Sequence, residues 1–268
     1  MLMNIDEATL ETTLFPYIGY AAGLATVFTF AIQTLRIVQT KNVTNLSSCM
    51  YIMYSLGSIC WFAYGVYIES WILVFSNLIT FFFVFIILCL ILYYDAEDKI
   101  ERARRDPETY LFNRQYFTQA VPEKIGQALA AGQNFAVMML SFANYQNITE
   151  KHGKKIGSKA LKTLAKYLDK ALRNTDMIAR YDDNSFSIYI DNADDKIAKI
   201  VAGRLNDDIK KLTLKSKDNQ DISFDVTLGI SSSKQDHNLE ALLNKAAEAL
   251  KSATPRSRVK LYSEKKSK

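Results

Sequence analysis

The sequence predicts a bundle of three transmembrane helices followed by an α/β (α+β) domain, and three observations carry that reading. First, Ile72 to Tyr94 is apolar almost without a break and contains no Lys, Arg, Asp or Glu. About 20 such residues are needed to cross a hydrocarbon core of roughly 30 Å. A buried helix of a soluble core is the alternative, but core helices are rarely this long and this uniformly apolar. Second, charge is divided by position. Met1 to Asp98 holds two basic residues, Arg36 and Lys41, against seven acids: Asp6, Glu7, Glu11, Glu69, Asp95, Glu97 and Asp98. All the others of the 33 basic and 28 acidic residues lie from Lys99 onward. Third, helical and strand periodicities alternate from Asp106 to the end, over a length that suits one globular domain.

Taken in order, Met1 to Thr13 is polar and acidic and lacks the basic start of a cleavable signal peptide, so it reads as a short exposed tail. Pro16 suits a first helical turn. The spans are predicted at about residues 15–38, 49–68 and 72–94, within a membrane domain of residues 1–94. Only Glu69-Ser70 separates the second from the third, which makes them an antiparallel hairpin. Arg36 and Lys41 flank the first loop, and Lys99, Arg102, Arg104 and Arg105 follow the third span. The positive-inside rule therefore places that loop and the C-terminal domain in the cytoplasm and the N-terminus outside.

Polar groups inside the spans are the functional candidates, because unpaired polarity in lipid is costly. Asn77 lies early in the third span, Gln33 near the inner end of the first, and Trp61 and Tyr64 three apart on one face of the second. Asn77 could equally be interhelical glue, and Trp61 could simply face lipid. Three spans are too few to surround a polar substrate, so any path requires a second copy. The three cysteines, Cys49, Cys60 and Cys89, all lie within apolar segments, which excludes a disulfide framework or a CxxC metal pattern. With only His152 and His237, a histidine metal site is not expected.

Ile18 to Tyr94 resembles the SemiSWEET family, the bacterial three-helix half-transporters of the PQ-loop and SWEET group. The matching words are IGYAAGLATVFTFAIQTLRIVQTKNVTNLSS (Ile18 to Ser48), MYIMYSLGSICWFAYGVYI (Met50 to Ile68) and FSNLITF (Phe75 to Phe81). The resemblance implies that two copies form the path and that Trp61 and Asn77 line a sugar pocket. An indole face against a sugar ring, with an amide on its hydroxyls, suits that ligand. One departure matters: the family's Pro-Gln in the first helix is Ile32-Gln33 here. Proline would remove a backbone donor and kink the helix, so Ile32 predicts a straighter, stiffer one, with turnover affected more than binding.

Residues 95–105, DAEDKIERARR, mix charges at helical spacing and predict a helical linker. Beyond them, Phe135 to Leu140 reads as a buried strand, Ser158 to Leu172 as an amphipathic helix, and Met177 to Tyr181 and Phe186 to Ile190 as strands about a turn at Asp182-Asp183-Asn184. Asp195 to Leu212 reads as a helix, Phe224 to Ile230 as a strand and Leu239 to Ser252 as a helix. A mostly antiparallel sheet with helices on one face fits this order. Lys154, Lys155 and the terminal Lys265, Lys266 and Lys268 suit attraction to an anionic leaflet. No nucleic-acid-binding motif accompanies them.

Asp106 to about Tyr262 resembles the GGDEF domain, the ferredoxin-like nucleotidyl cyclase fold of diguanylate cyclases. The matching segments are DPETYLFNRQYF (Asp106 to Phe117), SFANYQNITEKHGKKIGSKAL (Ser141 to Leu161) and RNTDMIARYDDNSF (Arg173 to Phe186). The resemblance implies two facing domains that join two GTP molecules with two metal ions, held by carboxylates at the first-strand end and in the signature. Here those positions are Ser141, with Ala143 beside it, and a signature that reads Asp182-Asp183-Asn184-Ser185-Phe186. The guanine-reading Asn and Asp are Thr149 and Ser158. Asp and Asn tolerate turn geometry, so the hairpin is expected to survive and catalysis is not. The domain reads as a degenerate GGDEF module (residues 106–268), not an enzyme, with no cofactor. Arg173-x-x-Asp176 matches the family's inhibitory site, which implies cyclic di-GMP binding, since an arginine suits bidentate phosphate contact. A plain capping or salt-bridge pair is the alternative there.

The sequence thus reads as a multi-pass protein of a bacterial inner membrane. It is expected to be a homodimeric sugar or small-solute transporter or receptor, contacting membrane lipid, with a module that binds cyclic di-GMP or GTP, or dimerises. A membrane-anchored diguanylate cyclase and a signalling scaffold are the alternatives.

Overall fold

The computed structural model describes residues 15–216, 219–254 and 257–263. Met1 to Thr13 and the terminal Lys265, Lys266 and Lys268, to which the sequence assigned an exposed tail and a leaflet-seeking charge, lie outside the described residues. The chain divides into two compact units, Met1–Glu101 and Arg102–Lys268.

The first unit is built from α1 (Phe15–Thr40), α2 (Ser48–Tyr67) and α3 (Trp71–Arg104). Each is long and apolar enough to cross a membrane. Ser47 starts α2 as its N-cap, its side chain accepting from the Met50 amide, which satisfies one of the orphan donors of a first turn. The α2–α3 turn is tight. Glu69 takes a left-handed φ of 55°, and Gly65 lies so close to Leu73 and Val74 that a Cβ there would meet the Val74 amide at 3.1 Å. Hydroxyls within the helices bond back to carbonyls four residues earlier, as Thr26 does to Ala22 and Ser58 to Tyr54, each at 2.9 Å. That is how a helix in hydrocarbon satisfies a polar side chain without a partner helix. A small packed core joins Ile37, Tyr51, Val84, Ile87 and Ile91. Leu24, Phe28, Phe75, Phe82 and Phe85 are exposed. This inversion of a soluble core disposes of the buried-helix alternative for α3. As the charge spacing predicts, α3 continues past Tyr94, with a Lys99–Asp95 pair at 2.8 Å on its surface.

The second unit contains β1 (Phe112–Asn113), α4 (Arg114–Ala130), β2 (Phe135–Phe142), α5 (Tyr145–His152), α6 (Lys154–Ala171), β3 (Met177–Asp182) and β4 (Ser185–Asp191), followed by α7 (Asp195–Ile209), β5 (Thr213–Lys215), β6 (Asp221–Ser223), β7 (Val226–Ser232), α8 (Leu239–Lys251) and β8 (Val259–Leu261). The main sheet has the order β1-β3-β4-β2-β7-β8. Its four central strands are antiparallel to one another, and β1 and β8 pair in parallel at the edges. Strands β5 and β6 form a separate hairpin.

Helices cover both faces of this sheet, not one. Along β2, Ala136, Met138, Leu140 and Phe142 enter a core with residues of α6 and α7. Phe135, Val137 and Met139 enter a second core with Phe117, Val121 and Ile125 of α4 and Leu242 and Ala246 of α8. A run such as FAVMML, with no polar alternation, is what a strand buried on both sides requires. Helix α4 has no counterpart in the sequence-based reading. Its apolar positions recur at helical spacing, but the polar residues between them and an internal Pro122 mask the pattern. Its cap is clear in the structure, the Asn113 side chain accepting from the Tyr116 amide at 2.8 Å. Helix α8 seats directly on β7 because Gly229 has no side chain: a Cβ there would overlap the Ala246 carbonyl and the Leu250 amide.

Candidate functional site

Trp61 and Asn77 come together in the first unit. Two cavities, of about 580 and 450 Å³, share Thr26, Trp61, Asn77 and Thr80 in their walls. The larger opens toward Gly19, Gly23 and Ser70, and the smaller toward Phe30, Met50 and Tyr54. The four shared residues form a polar belt between two vestibules at opposite ends of the helices. Asn77 donates from Nδ2 to the Leu73 carbonyl of its own helix at 2.9 Å. Its side chain is therefore anchored locally rather than to another helix, and its Oδ1 is left as an acceptor. The Trp61 indole meets Tyr64 edge-on at 5.9 Å. Thr80 was missed by sequence reasoning, although it lies three residues after Asn77 and so on the same helical face. Gln33 is elsewhere. With Arg36, Thr40 and Asn45 it lines a separate cavity of about 310 Å³ near the α1–α2 loop. Ile32 lies within an unbroken α1 and is exposed.

In the second unit the signature turn survives the loss of its glycines. Asn184 holds it to β2: its Nδ2 donates to the Phe142 carbonyl at 3.2 Å, and its own carbonyl accepts from the Phe142 amide at 2.8 Å. Ser185 and Phe186 are buried, while Asp182 and Asp183 are exposed. Arg180 braces the turn from behind. Its Nη2 donates to the Asp183 carbonyl at 3.1 Å, and its Nη1 donates to Glu108 at 2.7 Å and to Asp106 at 3.2 Å.

Burial works against ionisation of Asp106. The side-chain and backbone hydrogen bonds from Thr109, together with the Arg180 guanidinium, outweigh it and hold the carboxyl below its ordinary value. Glu108 is likewise opposed by burial and lowered on balance by the Ser158 hydroxyl and by Arg180. Ser158, expected at a base-reading position, thus favours the ionised form of a carboxylate from the start of the domain. Thr149 donates back to the Tyr145 carbonyl at 2.9 Å and packs on Gly157. Ser141 lies in β2 opposite Ser185 and Thr227, and the Ala143 amide donates to the Asp225 carbonyl at 2.8 Å. Among the described residues no three of His, Cys, Asp and Glu gather as a metal set.

Arg173 and Asp176 share a loop but do different work. The Asp176 carboxylate accepts from the backbone amides of Arg173 at 2.9 Å and Asp191 at 3.1 Å, tying the loop to the end of β4. The Arg173 side chain is exposed.

Comparison with known proteins matches residues 103–260 to the diguanylate cyclase GGDEF domain and residues 16–99 to the family described as a sugar efflux transporter for intercellular exchange. The sugar transporter SemiSWEET of Leptospira biflexa is 44% identical over 71 residues, 26% of this chain and 84% of that protein. The probable diguanylate cyclase DgcT of Escherichia coli is 28% identical over 111 residues, 41% of this chain. The chain spans only 24% of that relative's length. Among solved structures, the GGDEF domain of DgcB from Caulobacter crescentus, in complex with c-di-GMP, superposes with a TM-score of 0.55 at 17% identity, covering 60% of this chain and 96% of that one. The GGDEF domain of TpbB from Pseudomonas aeruginosa gives 0.56 at 22%, covering 59% and 94%.

These findings overturn the expectation that the protein is not an enzyme. The family that matches the second unit is that of the diguanylate cyclases, and its relatives include diguanylate cyclases from Escherichia coli and Treponema denticola. The chain belongs to two families at once, the SemiSWEET sugar transporters through its three-helix unit and the GGDEF diguanylate cyclases through the unit that follows.

Proposed function

We propose that the protein is a homodimeric sugar transporter or sugar receptor of the bacterial inner membrane that links sugar occupancy to cyclic di-GMP signalling. The observation that carries the membrane half is the belt of Thr26, Trp61, Asn77 and Thr80 between two vestibules. An indole face, an amide acceptor and two hydroxyls offer a sugar ring both stacking and hydrogen bonds. A second copy closes the path, consistent with the large apolar side chains that line the outside of the bundle. Arg36 and Lys41 in one loop, and the basic residues that end α3, support a cytoplasmic second unit. That unit takes guanine nucleotides, with GTP as the substrate class of its family and the exposed Arg173 as a phosphate contact for cyclic di-GMP.

Uptake of labelled mono- and disaccharides into proteoliposomes, beside Asn77→Ala, tests the first half. Loss of uptake in the variant supports the reading, and equal uptake by both proteins removes Asn77 from the path. Incubation of the full chain with GTP and magnesium, followed by separation of the nucleotides, tests the second. Formation of cyclic di-GMP supports it, and unchanged GTP limits the unit to binding. A receptor role within this reading is favoured by one feature: α1 runs unbroken through Ile32, without the proline hinge that would ease alternation. Sugar binding without uptake would decide for it.

A further inference from the structure

We propose that the second unit carries a binding pocket for a phosphate ester with a flat ring, of mononucleotide size, between α4 and α8, beside the start of the signature turn and apart from Arg173. The cavity there measures about 510 Å³, within the range of small-ligand sites. Its chemistry is divided. Ile125 and Leu243, both nearly fully buried, give it an apolar floor, and Arg114, Tyr181, His237 and Asn244 supply polar groups around the rim.

Arg114 is the anchor. Its guanidinium lies over the Tyr181 ring at 4.2 Å, which fixes its plane and leaves its N–H edge available. The nearest carboxylate oxygen, Asp182 Oδ1, is 3.7 Å away, and both side chains are more than half exposed. Such a pair contributes little in water, so a phosphate presenting two oxygens to the fork would displace it. The His237 imidazole has no hydrogen-bond partner among the described residues, its backbone amide being taken by Asp236. The first-turn amides of α8 at Glu240 and Ala241 are capped by Asn238, so the anion is held by side chains and not by the helix end. Glu240 is the one acid in the lining, and it directs the anion toward the Arg114 side. A flat ring on the Ile125–Leu243 floor then places its phosphate at the guanidinium.

The test uses the full chain in detergent with guanosine 5′-monophosphate as the probe, and guanosine and inorganic phosphate as the two half-ligands. Calorimetry on the wild type, Arg114→Ala and Thr118→Trp is paired with hydrogen exchange. Thr118 is an exposed position of α4 in the cavity wall, so tryptophan fills the space without removing the anchor. The expected result is binding that weakens at least about tenfold in both variants and for both half-ligands, with protection at Tyr181 and residues 239–243, and with Arg173→Ala unchanged. Equal binding by both variants, protection confined to α5 and α6, or no binding by the folded chain in the millimolar range would overturn the site. GTP turnover and sugar uptake are independent readouts, so failure here and failure of the proposed function are told apart.

Discussion

Arg180 donates to Glu108 at 2.7 Å while gripping the backbone carbonyl of Asp183 at 3.1 Å. One largely buried guanidinium therefore ties the signature turn to the first residues of the second unit. Its own ionised form is opposed by burial, and stabilised on balance by Glu108 and Asp106. Glu108→Gln keeps an acceptor for Arg180 but removes the charge from the shortest of these bonds. The expected cost is about 1–2 kcal/mol in the stability of the second unit, since bonds to charged groups contribute at that level, and it is read from thermal unfolding of the full chain in detergent.

The same cluster sets an acid limit. Asp106 and Glu108 both have folded values lowered below the ordinary 3.8 and 4.5. A lowered folded value means that the stabilisation is fully present above the unfolded value and is lost as pH falls through the folded one. The second unit is therefore expected to hold its full stability at pH 6 and to lose this contribution below about pH 4, with Asp106→Asn flattening that part of the profile. A melting-temperature series across this window checks it.

Gly229→Ala separates a packing role from a site role. The new methyl would overlap backbone atoms of Ala246 and Leu250, and backbone cannot rotate aside as a side chain can. The expected loss is about 3 kcal/mol, with faster amide exchange in β7 and α8 and no effect on sugar binding by the first unit.

Arg173 and Asp176 should part company under mutation. Asp176→Ala leaves two backbone amides without their acceptor and is expected to cost about 2 kcal/mol. Arg173→Ala should change stability by less than about 0.5 kcal/mol and abolish cyclic di-GMP binding. A stability loss for Arg173→Ala equal to that of Asp176→Ala would make the pair structural throughout.

In the belt, Thr80→Val keeps shape and removes one hydroxyl. If Thr80 faces the sugar, uptake falls several-fold at unchanged expression, and Asn77→Ala falls further because it also removes the Oδ1 acceptor. Equal uptake by Thr80→Val and the wild type would assign that hydroxyl to the helix backbone.

What the sequence determined by itself follows from one-dimensional physics. Twenty-three uncharged and mostly apolar residues from Ile72 to Tyr94 have one comfortable environment, and the charge spacing from Asp95 carries that helix onward. The strand character of β2, β3 and β4 and the Asp182-Asp183-Asn184 turn were legible, because period and turn chemistry are local. Only the tertiary structure decided which faces are covered. The second layer on the sheet depends on α4, whose apolar residues Phe117, Val121 and Ile125 are diluted by polar neighbours until β2 and α8 bury them. Thr80 became part of the belt only when α1 and α2 brought Thr26 and Trp61 to it. Ser158 was visible as a residue type, but its partner Glu108 is 50 positions away and reaches it only through the folded unit. Contacts of that separation are chosen by which surfaces exclude water together, and no spacing along the chain encodes them.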